Sequence, residues 1–373
     1  MKPVTRMIAL IFLFYLHCIK LDFFLFESEE ATSISDYHNI PLYVGSDPPS
    51  WIDSSTVERE LYISVPGATV IPKDQISSCK NYIHGVFIPA PIGVTVDTCP
   101  LIDKSVTFLY CHGNSGNIWR YWYRAVALWN MGANVFIFTY RGYGLSKGET
   151  TRDNIKKDVE AAATCLKARP DIDTNKIIVY GYSMGAITAS YLVGASSHKN
   201  GFAGVILESG LDSPEEILHL SSGTEFPGGF FFDDSPFNGP EFIKEATIPI
   251  LHIHGRKDQR VIIDQAYNYY NILRNKPYYT HYIGKSQKPD EQWIALTAHR
   301  NVPIYPFNAE KHIADYWDDS NNPCHCCVHP DEYDDPMFAG FLQSVGRTNG
   351  AAMTAAAKKY EDLIVSWVST VIP

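Results

Sequence analysis

Lys176-Ile177-Ile178-Val179-Tyr180 runs directly into Gly181-Tyr182-Ser183-Met184-Gly185, and Ala186-Ile187-Thr188-Ala189-Ser190-Tyr191-Leu192-Val193 follows. The first run is short, apolar and β-branched, the pattern of a buried strand. The last run reads as a buried helix. A Gly-x-Ser-x-Gly between such elements forms a turn so tight that the serine backbone is strained. Both flanking positions need Gly, because a Cβ there would strike the neighbouring strand or helix. The turn lifts the serine Oγ off the strand end, over a helix N-terminus that favours developing negative charge. Ser183 is therefore the candidate nucleophile.

Outward from this turn, strands and helices alternate. Upstream, Ser105–Cys111 is a buried strand ending in His112-Gly113-Asn114-Ser115-Gly116-Asn117, and residues 118–131 have helical period. Ala133–Tyr140 is the next strand, closed by Arg141-Gly142-Tyr143-Gly144-Leu145-Ser146-Lys147-Gly148, and Thr151–Ala168 is a helix. Downstream come a strand at Phe202–Leu207, a strand at Ile248–His254 closed by Gly255-Arg256-Lys257-Asp258, and a helix at Val261–Leu273. Residues 212–246 read as irregular. This alternation predicts an α/β fold with a doubly wound, mostly parallel sheet, whose ligands bind at the carboxyl ends of the strands. Alternating patterns at Val57–Val65 and Asn81–Ile88 predict two further strands near the N-terminus. A last strand is expected at Asn301–Phe307 and a final helix at Thr354–Val371.

A serine needs a base within hydrogen-bond reach, and the base needs an orienting acid. On such a sheet the chain order is Ser, acid, His. Asp258 directly follows the Ile248–His254 strand and is the expected acid, with Asp212 as the fallback. His312, in the loop after Asn301–Phe307, is the expected base. His299 competes if Tyr278–Ile283 is the last strand. His325 and His329 are further base candidates, with surface or metal-site residues as the plainer reading. The oxyanion needs two backbone N–H donors, and Met184 and Asn114 are placed to supply them. His112 reads as a structural residue that holds its loop by hydrogen bonds.

His112-Gly113-Asn114, Arg141-Gly142-Tyr143-Gly144, Gly181-Tyr182-Ser183-Met184-Gly185 and His254-Gly255-x-x-Asp258 occur in that order. Together they resemble the α/β-hydrolase-domain serine hydrolases with a His-Gly-Asn oxyanion loop, over about residues 100–275. The resemblance implies an α/β-hydrolase fold with antiparallel N-terminal strands. It implies hydrolysis of an acyl ester or thioester in a lipid, lysophospholipid or acylated protein, with no cofactor. A peptidase of related fold and a catalytically silent scaffold are the competing readings.

The 373 residues carry a net charge of −10 and are 45% hydrophobic. That balance fits a globular domain and argues against nucleic acid, which demands a basic face. Lys2 and Arg6 precede a mostly apolar stretch from Met7 to Phe26, interrupted near its end by Lys20 and Asp22 and about the length that spans a bilayer. The expectation is a signal anchor within residues 1–35 with a lumenal or external catalytic domain, or a secreted protein if the segment is cleaved. Residues 36–56 read as a linker, and residues 57–373 as the catalytic domain with insertions near 212–246, 276–300 and 318–350. Oligomeric state is not legible. Of the eight cysteines, Cys79 and Cys99 flank a loop region and are a candidate pair. Cys111 and Cys165 read as buried thiols. Cys324, Cys326 and Cys327 favour disulfide use over a metal site, because adjacent cysteines do not readily share one tetrahedral ion.

Overall fold

The computed structural model describes residues 26–28, 60–90, 102–118, five positions of the helical stretch that continues to 129, and residues 131–213, 237–254, 261–283 and 355–372. Eight strands form one sheet: β1 Glu60–Ser64, β2 Tyr82–Ile88, β3 Thr107–Cys111, β4 Asn134–Thr139, β5 Ile177–Tyr182, β6 Gly204–Glu208, β7 Ile250–His254 and β8 Tyr279–Ile283. Their order across the sheet is β8-β7-β6-β5-β3-β4-β2-β1. β1 pairs antiparallel with β2, and β2 with β4. Every other pairing is parallel. This is an α/β-hydrolase fold with an antiparallel N-terminal edge.

The strands are hydrophobic on both faces because both faces are covered. Leu109, Cys111, Val179, Val205 and Leu207 point into one core, which also holds helices α1 (Arg152–Lys167) and α2 (Met184–Gly194). Their neighbours Phe108, Tyr110, Ile178, Tyr180 and Ile206 point into the other. There they meet Ile118, Tyr121, Ala125 and Leu128, spaced by three and four residues as one helical face. The final helix α5 (Ala355–Val371) adds Leu363, Ile364, Val365, Trp367 and Val368 to the same core. Each such side chain removed from water contributes about 1.5–3 kcal/mol.

Two sequence expectations change. Tyr279–Ile283 lies inside the stretch read as a polar insertion, yet it is the edge strand β8, in register with Ile250–His254. An edge strand with alternating Tyr, Thr, His and Ile carries less apolar signal than a central strand. Asn301–Phe307, expected as the last strand, lies outside the described residues. Within 212–246, Gly239–Ile243 forms a short helix α3, capped by Asn238 Oδ1 accepting from the Glu241 N–H at 2.9 Å. Helix α4 is Ile263–Leu273. Cys79 is a free thiol, while its proposed partner Cys99 lies outside the described residues. Cys111 and Cys165 are buried free thiols, as the sequence suggested.

The chain leaves β3 for β4 on one side and returns at β5 on the other. That reversal opens a crevice at the carboxyl ends of β3 and β5. Cys111 and Gly181 are paired there, so the segments starting at His112 and Ser183 emerge side by side.

Candidate active site

Ser183 sits between β5 and α2 with φ +55° and ψ −122°. A non-glycine residue in that region costs about 1–3 kcal/mol, so its surroundings must hold it. They do so through the backbone. The Ser183 N–H donates to Glu208 O at 3.0 Å, and the Ser183 carbonyl accepts from the N–H groups of Ala186 at 2.9 Å and Leu211 at 3.2 Å. The serine side chain makes no capping bond to its own helix.

The two glycines of the turn are sterically enforced. A Cβ on Gly185 would lie 2.0 Å from the Cys111 carbonyl oxygen, and one on Gly181 would lie 2.4 Å from the Gly185 oxygen. Helix α2 therefore lies against the end of β3, and Met184, its first residue, is fully buried.

The loop after β3 also lies against the turn. A Cβ on Gly113 would stand 3.3 Å from Ser183 Cβ and 2.7 Å from Tyr121 Oη. Asn114 follows. Its carbonyl and side-chain oxygens accept from the Tyr143 hydroxyl at 2.7 and 3.0 Å. Ser115 and Gly116 pair in parallel with Glu27 and Ser28, and the neighbouring Phe26 ring meets Phe237 edge-on at 6.2 Å.

His112 is fully buried among Tyr121, Tyr140 and Tyr143. Its Nδ1 donates to Gly113 O at 2.7 Å, since a carbonyl can only accept. Its Nε2 has no hydrogen-bond partner among the described residues. Burial pushes its pKa down to about 4, only partly offset by the Gly113 bond. It is a neutral anchor of the loop, not a base.

Glu208, at the end of β6, is fully buried and takes a hydrogen bond from Arg124 at 3.0 Å. The Arg124 guanidinium also lies 3.7 Å over the Tyr182 ring. This pair ties the helical stretch after the His112 loop to the strand beside Ser183. No local pattern announces it, because the partners are far apart in sequence and meet only across the folded sheet.

Of the remaining candidates, Asp258, His299 and His312 lie outside the described residues, as do His325, His329 and the cysteines at 324, 326 and 327. His254 Nε2 donates to Val261 O at 2.7 Å, which draws together the two ends of the stretch carrying Asp258. Asp212, the fallback acid, is buried after β6 and accepts from Asn268 at 2.5 Å. Its Oδ1 has no partner among the described residues. Tyr279–Ile283 is a strand, but Asn301–Phe307 lies outside the described residues, so the choice between His312 and His299 as base stays open. Among the described residues no cluster could hold a metal ion, and no helix is long and apolar enough to cross a membrane.

Residues 103–220 match the family model Hydrolase_4, described as serine aminopeptidase, S33. The chain is 28% identical over 193 residues to the uncharacterized protein YfhR of Escherichia coli K12, covering 52% of this chain and 64% of that protein. It is 29% identical over 205 residues to human alpha/beta hydrolase domain-containing protein 17B, covering 54% and 63%. It is 32% identical over 168 residues to alpha/beta hydrolase domain-containing protein WAV2 of Arabidopsis thaliana, covering 42% and 54%. The match thus spans less than two thirds of each relative's length. Sheet order, the matched family model and the relatives agree on the fold: this chain carries a domain with the α/β-hydrolase fold.

Proposed function

We propose that this protein is a serine hydrolase that cleaves acyl esters or thioesters through an acyl-enzyme. The observation that carries the reading is the Ser183 turn. A serine is held at φ +55° on the carboxyl edge of a parallel sheet, with the Gly113 backbone beside it. A strained serine persists only where its surroundings over-determine it, and such sites cluster at functional positions.

In the proposed reaction Ser183 Oγ attacks the acyl carbonyl and passes its proton to His312, which Asp258 orients. The N–H groups of Met184 and Asn114 hold the oxyanion, and the protonated histidine releases the alcohol or thiol. Water then cleaves the acyl-enzyme by the same groups in reverse. The substrates proposed are lipid, lysophospholipid or acylated protein. The apolar stretch from Met7 to Phe26 carries the further proposal that the domain is held at a membrane.

A fluorophosphonate probe tests this reading. Wild-type protein should label and Ser183→Ala should not. His312→Ala should lower labelling at least 100-fold, and His299→Ala should leave it near wild type. Loss with His299→Ala alone would move the base to His299, and label retained in Ser183→Ala would end the hydrolase reading. The aminopeptidase description of the matched family model supports a second reading. Turnover of amino-acyl amides in preference to acyl esters would favour it.

A further inference from the structure

Tyr140-Arg141-Gly142-Tyr143 has no role in the chemistry above, yet the turn it forms is bolted down. The Arg141 N–H and Nε both donate to the buried Asp158 carboxylate, at 2.8 and 2.5 Å, and Nη2 donates to Asn154 O at 3.0 Å. Thr150 Oγ1 donates to Arg141 O at 2.7 Å. Gly142 has φ +81°, and a Cβ there would collide with Thr150 Oγ1.

From this fixed turn two phenols reach the loop after β3. Tyr140 Oη donates to His112 O at 3.1 Å, and Tyr143 Oη donates to Asn114 O at 2.7 Å. His112 itself takes the carbonyl between them, Gly113 O, at 2.7 Å. Three successive carbonyls are thus gripped by three side chains. A trans peptide is planar, so fixing a C=O also fixes the N–H of the next residue on the opposite side of the same plane. The Gly113 carbonyl shares its plane with the Asn114 N–H. The Asn114 carbonyl belongs to the following plane. With both planes held, the backbone at Asn114 has little freedom left.

We propose that Tyr143 is a positioning residue for the oxyanion loop: by gripping the Asn114 carbonyl while His112 grips that of Gly113, it aims the Asn114 N–H before substrate arrives. The inference rests on the hydrolase reading and on Asn114 as a donor. Preorganised donors need no reorganisation as charge develops, which is where their catalytic value lies. Removing a whole donor costs about 100- to 1,000-fold in kcat. Loosening one should cost less, roughly 10-fold on the same scale.

The test is Tyr143→Phe, which keeps the ring and removes one hydroxyl. Hydrolysis of p-nitrophenyl butyrate gives kcat and KM, and phenylboronic acid serves as the tetrahedral mimic. The expected result is a fall in kcat of about 10-fold, an equal loss of boronate affinity and an unchanged KM. Unchanged kcat and boronate affinity, with only a lower unfolding temperature, would overturn the proposal and leave Tyr143 structural. Should Tyr143→Phe not fold, 4-fluorophenylalanine at position 143 fills the space of the hydroxyl without donating to the Asn114 carbonyl, and an unaltered kcat there would likewise overturn it. Ser183→Ala is measured alongside. Esterase activity surviving in Ser183→Ala defeats the hydrolase reading and the proposal with it, whereas Ser183-dependent activity that ignores Tyr143→Phe defeats the positioning role alone.

Discussion

The turn at Ser183 and the loop at His112-Gly113-Asn114 face each other across the end of the sheet, and they are held in opposite ways. The turn is fixed by backbone. Two glycines allow contacts that any side chain would forbid, and three main-chain hydrogen bonds hold Ser183 at its strained angle. The loop is fixed by side chains. Tyr140, Tyr143 and His112 each grip one of its carbonyls. Backbone contacts of the first kind tolerate almost no substitution. Hydrogen bonds of the second kind are removable one at a time, so the loop is the part of the site open to graded tuning.

The strongest challenge to this contrast is Gly185→Ala. Its Cβ would meet the Cys111 backbone at 2.0 Å, and rigid backbone on both sides leaves no cheap relief. Destabilisation of about 3 kcal/mol or more is expected in urea unfolding, at or beyond the top of the usual overpacking range. A variant as stable as wild type would break the steric account of the turn.

The loop side makes its own prediction in pH. The folded pKa of His112 is lowered by burial from 6.5 to about 4, and burial also lowers that of His252. Between those values the unfolded chain binds the proton and the folded chain does not. The His112 contribution is therefore full above pH 6.5 and is lost as pH falls towards 4, at about 1.4 kcal/mol per pH unit, and His252 acts in the same direction. Urea unfolding at pH 7, 6 and 5 measures the slope. His112→Gln should flatten it by one proton's worth, and an unaltered slope would show that His112 is not held neutral in the loop.

A smaller effect sharpens the comparison at the serine itself. Ser183→Gly removes both the proposed nucleophile and the strain of φ +55°, whereas Ser183→Ala removes only the proposed nucleophile. The glycine variant should be the more stable by about 1 kcal/mol, and both should be inactive. Equal unfolding midpoints would mean that the turn stores no strain. The smallest effect is a control at the opposite end of β5 from Ser183. Asp173 Oδ1 accepts from the Asn175 N–H at 2.9 Å, so Asp173→Ala should cost about 0.5 kcal/mol and leave kcat unchanged.

Much of the architecture was legible because its causes are local. Central strands such as Ile177–Tyr182 and Thr107–Cys111 are buried on both faces, so their apolar runs are unmistakable. Thr151 and Asp153 mark the start of α1 by their own chemistry. The edge strand Tyr279–Ile283 was legible only as an alternative to a polar insertion, because it is covered by less of the molecule and carries a mixed pattern.

The sequence by itself determined the strained serine, the need for its two glycines, and the order of motifs along the chain, because each follows from contacts within a few residues. Only the tertiary structure decided which phenols hold the His112–Asn114 loop and what ties Arg124 to Glu208. Those partners lie tens of residues apart in sequence, and no local pattern records which phenol will reach which carbonyl once the sheet has closed.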